Sequence, residues 1–200
     1  MYGETTLYSI GHGHKTREEF ITELKCFNIK YLIDVRTNPY SKWAPHFNQG
    51  TIETWLMPDI IYIYMGDSLG GKPQNELCYD IDGFFDYKKM AQDPLFQKGL
   101  NRLVIANNKK ICAAIMCTET DPSQCHRTKL IGRELFFSHN INMYHIIDMN
   151  KYITQVSIMT MLTNGEWTPN GNLFEICEPP YFKSCKSYKD KNQYIEDGYI

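Results

Sequence analysis

Short apolar runs alternate with longer amphipathic stretches along the chain, and the central run is the cleanest. Ile111-Cys-Ala-Ala-Ile-Met-Cys117 is almost wholly apolar, the pattern of a strand buried on both faces of a parallel sheet. Asp121-Pro122-Ser123 follows as helix-start chemistry, with Asp121 able to cap and Pro122 suited to the first helical position. Leu130, Ile131, Leu135 and Phe136 are then spaced for one face of a helix. This arrangement predicts Cys117 and Glu119 at the C-terminal end of a strand. It predicts Cys125, His126 and Arg127 in the first turns of the next helix.

The same reading places strands at Leu7–Ile10, Tyr31–Arg36, Ile60–Met65 and Ile141–Ile147. Thr16 and Glu19 form a capping box before a helix that buries Phe20, Ile21 and Leu24, so the chain opens as a β-α-β unit with a right-handed crossover. Further helices are expected over 51–56, from Pro94 to Leu103, and over 152–162. Residues 74–93 are polar with aromatic clusters and suit a lid or a short helix, while Trp55, Met57, Tyr64 and Met65 suit packing. The expected fold class is α/β: a Rossmann-like three-layer domain with a mostly parallel central sheet over residues 1–150. A small C-terminal extension over 151–200 combines the last helix, a β excursion marked by Asn164-Gly165 and Asn170-Gly171, and a polar basic tail.

Composition narrows the function class only a little. The 200 residues are ample for a sizeable core, and a net charge of −2 argues against a large footprint for duplex nucleic acid. No apolar run reaches membrane-spanning length, and the first residues lack the layout of a signal peptide. Seven scattered cysteines in no disulfide-framework spacing suit a cytoplasmic protein with reduced thiols. No cofactor signature is present and nothing sets an oligomeric state.

Candidate chemistry gathers at predicted strand ends, the edge where open α/β sheets bind ligands. The candidate catalytic residues are Asp34 and Glu119 as acid and base, His12 and His126 as proton carriers, and Cys117 or Cys125 as a nucleophile. Cys125 is the better placed nucleophile, since a helix start and neighbouring cations lower a thiol pKa. For substrate binding, Arg36 and Arg127 suit a phosphate or carboxylate. Ser41, Trp43, Phe47 and Asn48 belong to a loop suited to stacking on a planar base, and Gly11, Gly70 and Gly71 lie in glycine turns. Gly11-His-Gly-His14 resembles a phosphate-binding turn only loosely.

Five motifs occur in order: Ser9-Ile-Gly11-His12, Asp34-Val-Arg36 with Pro39, Pro45-His-Phe47-Asn48, Leu69-Gly-Gly71, and Cys117-x-Glu119 with Cys125-His126-Arg127. Over roughly residues 5–147 this set resembles the domain of unknown function 488 family (DUF488). The resemblance implies a compact Rossmann-like α/β domain and supplies no reaction. Gly13-His14 departs from the serine that commonly follows Gly-His in the family, and the tail after Asn150 lies outside the likeness.

Several functions compete. The leading one is a hydrolase or transferase acting on a nucleotide, a nucleoside or a base in single-stranded nucleic acid. A metal site from Cys117, Cys125 and His126, completed by His12 or His14, has an unusual cysteine spacing, and a helical His126 points away from Cys125. A reversible Cys117–Cys125 disulfide is a third reading. A non-catalytic module binding RNA or single-stranded DNA through Trp43, Phe47 and the basic tail is the fourth.

Overall fold

The computed structural model describes residues 5–81, 84–165, 167, 181 and 182. Five parallel strands, β1 (Leu7–Gly11), β2 (Tyr31–Asp34), β3 (Ile61–Tyr64), β4 (Ala113–Cys117) and β5 (Tyr144–Asp148), are joined by an antiparallel β6 (Lys151–Thr154). The order across the sheet is β3-β2-β4-β1-β5-β6. β1 and β2 are therefore consecutive in sequence but not neighbours, because β4 lies between them. That insertion makes a topological switch between β1 and β4, and their C-terminal ends meet there with Gly11 opposite Cys117.

The alternation of β4 divides the core. Ala113, Ile115 and Cys117 join one buried cluster with Leu7, Leu69, Phe96 and Leu100, and Ala114 and Met116 join a second with Phe20, Leu24, Phe47 and Ile52. Helices α1 (Arg17–Cys26) and α2 (Gln49–Leu56) supply buried residues to the second cluster. Helices α3 (Gly66–Leu69), α4 (Tyr87–Gln92), α5 (Pro94–Asn108) and α6 (Arg133–His139) supply the first, so the sheet is the middle of three layers. The fold is the Rossmann-like α/β arrangement expected from the strand pattern. Local signals hold where they are chemical. Thr16 and Glu19 form the reciprocal capping box, and Asp93 caps α5 with Pro94 in its first turn.

Two expectations need correction. Residues 152–154 belong to a strand rather than to the start of a helix, and the helix α7 is confined to Gln155–Leu162. The β-branched and aromatic residues Tyr152, Ile153 and Thr154 suit an edge strand, and Thr154 then caps α7 by accepting from Ser157. Residues 74–93 hold the expected short helix, α4, after a 3-10 turn (Glu76–Cys78), with Phe85, Tyr87 and Met90 in the core. Met57, expected to pack, is 70% exposed. Asn164-Gly165 makes its turn with both residues at positive φ, whereas the Asn170-Gly171 excursion and the basic tail lie outside the described residues. Among the described residues no helix is long and apolar enough to cross a membrane.

β6 and α7 are built into the preceding unit: β6 pairs with β5, and Gln155, Ile158 and Met159 are fully buried. A chain ended after Asn150 therefore loses an edge strand and a layer of its core. It is expected to lose the cooperative thermal transition of the full chain, measured by circular dichroism. Retention of that transition at an unchanged midpoint would show 151–162 to be an appendage.

Candidate active site at the switch of the sheet

The site begins where β4 ends. Cys117 closes the strand, Glu119 follows on a short loop, and Asp121 caps a 3-10 turn (Pro122–Gln124) by accepting from Ser123 N–H. The turn delivers Cys125 in extended conformation and His126 in helical conformation. Residues Arg127–Gly132 then form a π-helical turn ahead of α6, so the regular helix begins later than the apolar spacing predicts. Because Cys125 and His126 straddle this bend, their side chains converge. His126 Nδ1 lies 3.6 Å from Cys125 Sγ and 3.9 Å from Cys117 Sγ, which overturns the expectation that His126 points away. Glu119 Oε2 lies 2.9 Å from Cys117 Sγ and 3.2 Å from Cys125 Sγ.

Arg127 is buried beneath this cluster with no exposed surface. Its Nε donates to Cys125 Sγ at 3.3 Å, Nη1 to Ser9 Oγ at 3.1 Å and Nη2 to the Glu119 carbonyl at 2.5 Å. A guanidinium cannot be deprotonated in a protein, so a buried one demands an anion. Burial alone pushes the Cys125 thiol up. The hydrogen bond from Cys117 and the charges of Arg127 and His126 outweigh it and hold Cys125 well below the ordinary thiol value. The hydrogen bond to Cys125 and burial hold Cys117 well above that value. Burial also raises Glu119, with the negative charge of Cys125 adding to it. Burial resists charge on His126, but the Cys125 thiolate and its hydrogen bond prevail and raise its pKa.

The second polar cluster, at the end of β2, is closed on itself. Arg36 Nε donates to both oxygens of Asp34 (2.9 and 3.1 Å), Nη2 to Asp34 Oδ2 (2.6 Å) and to the Phe47 carbonyl (2.7 Å), and Tyr62 Oη donates to Asp34 Oδ2 at 2.7 Å. Arg36 Nη1 lies 3.3 Å from His12 Nε2 while His12 Nδ1 lies 3.0 Å from the Gly13 carbonyl. These partners select the neutral Nδ1–H tautomer, and burial, then Arg36, lower the His12 pKa to about 4. Asp34, Arg36 and His12 thus brace the strand ends, with Phe47 stacked on His12 at 4.4 Å and fully buried. The expected roles of Asp34 as acid or base, His12 as proton carrier, Arg36 as anion clamp and Phe47 as stacking surface are not what this geometry serves.

The remaining predicted binders divide. Trp43 is 77% exposed on the loop after β2, beside Tyr40 at 61%, and offers an aromatic face to solvent. Ser41 and Asn48 shape that loop instead: Ser41 Oγ accepts from the Trp43 and Ala44 amides, and Asn48 Oδ1 accepts from the Ser41 amide. The Gly11–His14 turn is no anion cradle, since the His12 and Gly13 amides donate to the carbonyls of Cys117 and Thr118. Gly11 is needed for close approach, because a Cβ there would sit 1.9 Å from the Glu119 carbonyl oxygen. Gly71 lets its loop lie on the His126 ring, and Gly70 lines a cleft of about 170 Å³ between α3 and α5 that includes Lys72 and Asp93. None of Cys117, Glu119, Cys125 and His126 lines that cleft.

Four participants were given no role in the site by the sequence reading: Ser9, Tyr62, His145 and Gln155. Ser9 Oγ lies 2.7 Å from His145 Nδ1, and His145 Nε2 lies 2.8 Å from Gln155 Oε1, whose Nε2 donates to the Thr128 carbonyl. One direction satisfies every member, running from Arg127 through Ser9 to a neutral His145 and on to Gln155. The signal available was a polar residue inside each of two apolar strands, but their pairing, Ser9 beside His145, is a matter of register.

Burial, then Arg127, lower the His145 pKa from its ordinary 6.5 to about 3. Between those values the unfolded chain binds a proton that the folded chain does not, so His145 makes stability fall as pH falls through that window. His145→Gln keeps a donor and an acceptor and removes this titration. The stability gap between wild type and variant should narrow towards acid pH, by up to about 1.4 kcal/mol per pH unit in urea unfolding. Parallel stability curves for the two proteins would refute the neutral, buried imidazole.

The sequence profile of the family described as Domain of unknown function DUF488 matches residues 16–133. No curated protein and no solved structure matches the chain. The matched span contains β2 to β4, the Cys117–Arg127 cluster and the Asp34–Arg36 brace, and it covers more than half of the 200 residues. The chain belongs to the DUF488 family.

Proposed function

We propose that the protein is a hydrolase acting on a nucleotide, a nucleoside or a base in single-stranded nucleic acid, with its reaction centre at Cys117, Glu119, Cys125 and His126. The observation that carries the reading is the turning of the Glu119 carboxylate onto two buried sulfurs beside an imidazole, at the switch point of the sheet. In hydrolysis the nucleophile is water, and Glu119 accepts its proton and returns it to the leaving group. Desolvation and the adjacent Cys125 charge make this carboxylate a stronger base than an ordinary glutamate. The nucleobase preference rests on exposed Trp43 and Tyr40 with Lys42 between them, at the same C-terminal edge of the sheet.

Neither buried arginine serves as a phosphate clamp here, since Arg36 and Arg127 are hydrogen-bonded within the protein. Their removal tests folding rather than chemistry: losing one partner of such a buried pair costs about 3–5 kcal/mol. The informative variants are Glu119→Gln and Trp43→Ala. In a screen of nucleosides, nucleotides and single-stranded oligonucleotides, the wild-type chain should release two products whose masses add up to the substrate plus one water. Glu119→Gln should lower kcat by about 10²–10⁴-fold with an unchanged fold. Trp43→Ala should raise KM with little change in kcat. A wild-type protein that binds oligonucleotide in a salt-dependent way but forms no product would point to a binding module instead.

A further inference from the structure

We propose that Cys117, Cys125 and His126 are the ligands of one zinc-type divalent cation, with Glu119 beside its open fourth position. The inference deepens the hydrolytic reading by naming what activates the water, while the claim of binding stands on ligand geometry alone. The donor atoms of the three residues lie within 4.8 Å of one another. With zinc–sulfur bonds near 2.3 Å and zinc–nitrogen bonds near 2.0 Å, a tetrahedral site has edges of roughly 3.3–3.8 Å. The observed sulfur-to-nitrogen separations are 3.6 and 3.9 Å, and Glu119 Oε2 stands 2.9 and 3.2 Å from the sulfurs. Small adjustments of the three ligand side chains close them around an ion, with Glu119 turned from the sulfurs towards the open position.

Donor chemistry points the same way. Two thiolates and an imidazole favour zinc over the hard cations that prefer oxygen. His126 gives a second, independent argument. It is 8% exposed and directs Nδ1 at the sulfurs, while its buried Nε2 has no hydrogen-bond partner among the described residues. The sulfurs are thus the polar contacts that orient the ring. Gly71 keeps the space clear, since a Cβ there would sit 2.9 Å from His126 Nδ1.

Three protein ligands and an open position are the pattern of a catalytic rather than a structural zinc. Zinc deaminases use a Cys/Cys/His ion with a non-ligating glutamate that moves the proton of the activated water. Here Glu119 follows a cysteine rather than the histidine, and it places Oε2 2.9 and 3.2 Å from the two sulfurs, within reach of a water at the open position. The balanced step is that water gives its proton to Glu119 and its hydroxide to the electrophilic centre, and the proton then departs with the leaving group.

The test uses the full chain, reduced and stripped of metal, titrated with Co²⁺ and then with Zn²⁺. One Co²⁺ per chain is expected, with the intense visible bands of a tetrahedral site and a thiolate-to-cobalt charge-transfer band, all lost when Zn²⁺ displaces it. Cys125→Ser should lose most of the charge-transfer band. If that variant does not fold, the wild-type band decides alone, because only sulfur ligation produces it. Weak octahedral bands without charge transfer, or no stoichiometric binding, would overturn the proposal. A chain that holds its zinc and yet turns over no nucleoside, nucleotide or oligonucleotide keeps the metal site and removes the hydrolytic reading.

Discussion

The burial of Arg127 is the constraint from which the rest of the site follows. Its guanidinium has no exposed surface and cannot lose its charge, so five N–H groups and one full positive charge must be satisfied within the fold. The Cys125 sulfur, the Ser9 hydroxyl and the Glu119 carbonyl each accept from one of its three nitrogens, and each comes from a different segment. β1, the loop after β4 and the π-helical turn are tied to one side chain. Moving any of them leaves part of a buried cation unpaired, a cost of several kcal/mol.

Holding that cation has chemical consequences. It lowers the pKa of Cys125 while that of Cys117 is raised, although the two sit in the same buried environment. The difference comes from partners rather than burial: both sulfurs face Glu119, but it is Cys125 that receives the hydrogen bond from Arg127 Nε. Support for Arg127 extends through Ser9 and His145 to Gln155, on α7. Gly132 leaves room for this contact, since a Cβ would sit 2.1 Å from Gln155 Oε1. The last described helix is therefore a structural partner of the site.

A second buried pair, Asp34 with Arg36, has the same residue types and a different purpose. Tyr62, His12 and the Phe47 carbonyl complete its hydrogen bonds, and the aromatic core closes over it. Polar side chains at strand ends thus divide into a braced set beside β2 and a set around the two sulfurs beside β4. Only the second combines two sulfurs, a carboxylate and an imidazole whose remaining nitrogen has no hydrogen bond among the described residues.

What the sequence determined by itself was whatever depends on near neighbours in the chain. The apolar run of β4 predicts a doubly buried strand, Thr16 and Glu19 predict a cap, and the ordered motifs place Cys117, Glu119 and Cys125 at one sheet edge. All of these hold because period, capping and turn chemistry act over a few residues. Tertiary structure decided the matters that depend on register and on the path of the backbone. Asp34, Arg36, His12 and Phe47 read as functional because their chemistry is functional in type, yet packing closes them on one another. His126 reads as pointing away from Cys125 because a regular helix would turn it away, yet an extended residue at Cys125 brings it back. Ser9, Tyr62, His145 and Gln155 read as ordinary because nothing local sets them apart. They acquire roles only when β1 lies beside β5 and the chain after Asn150 returns to the sheet.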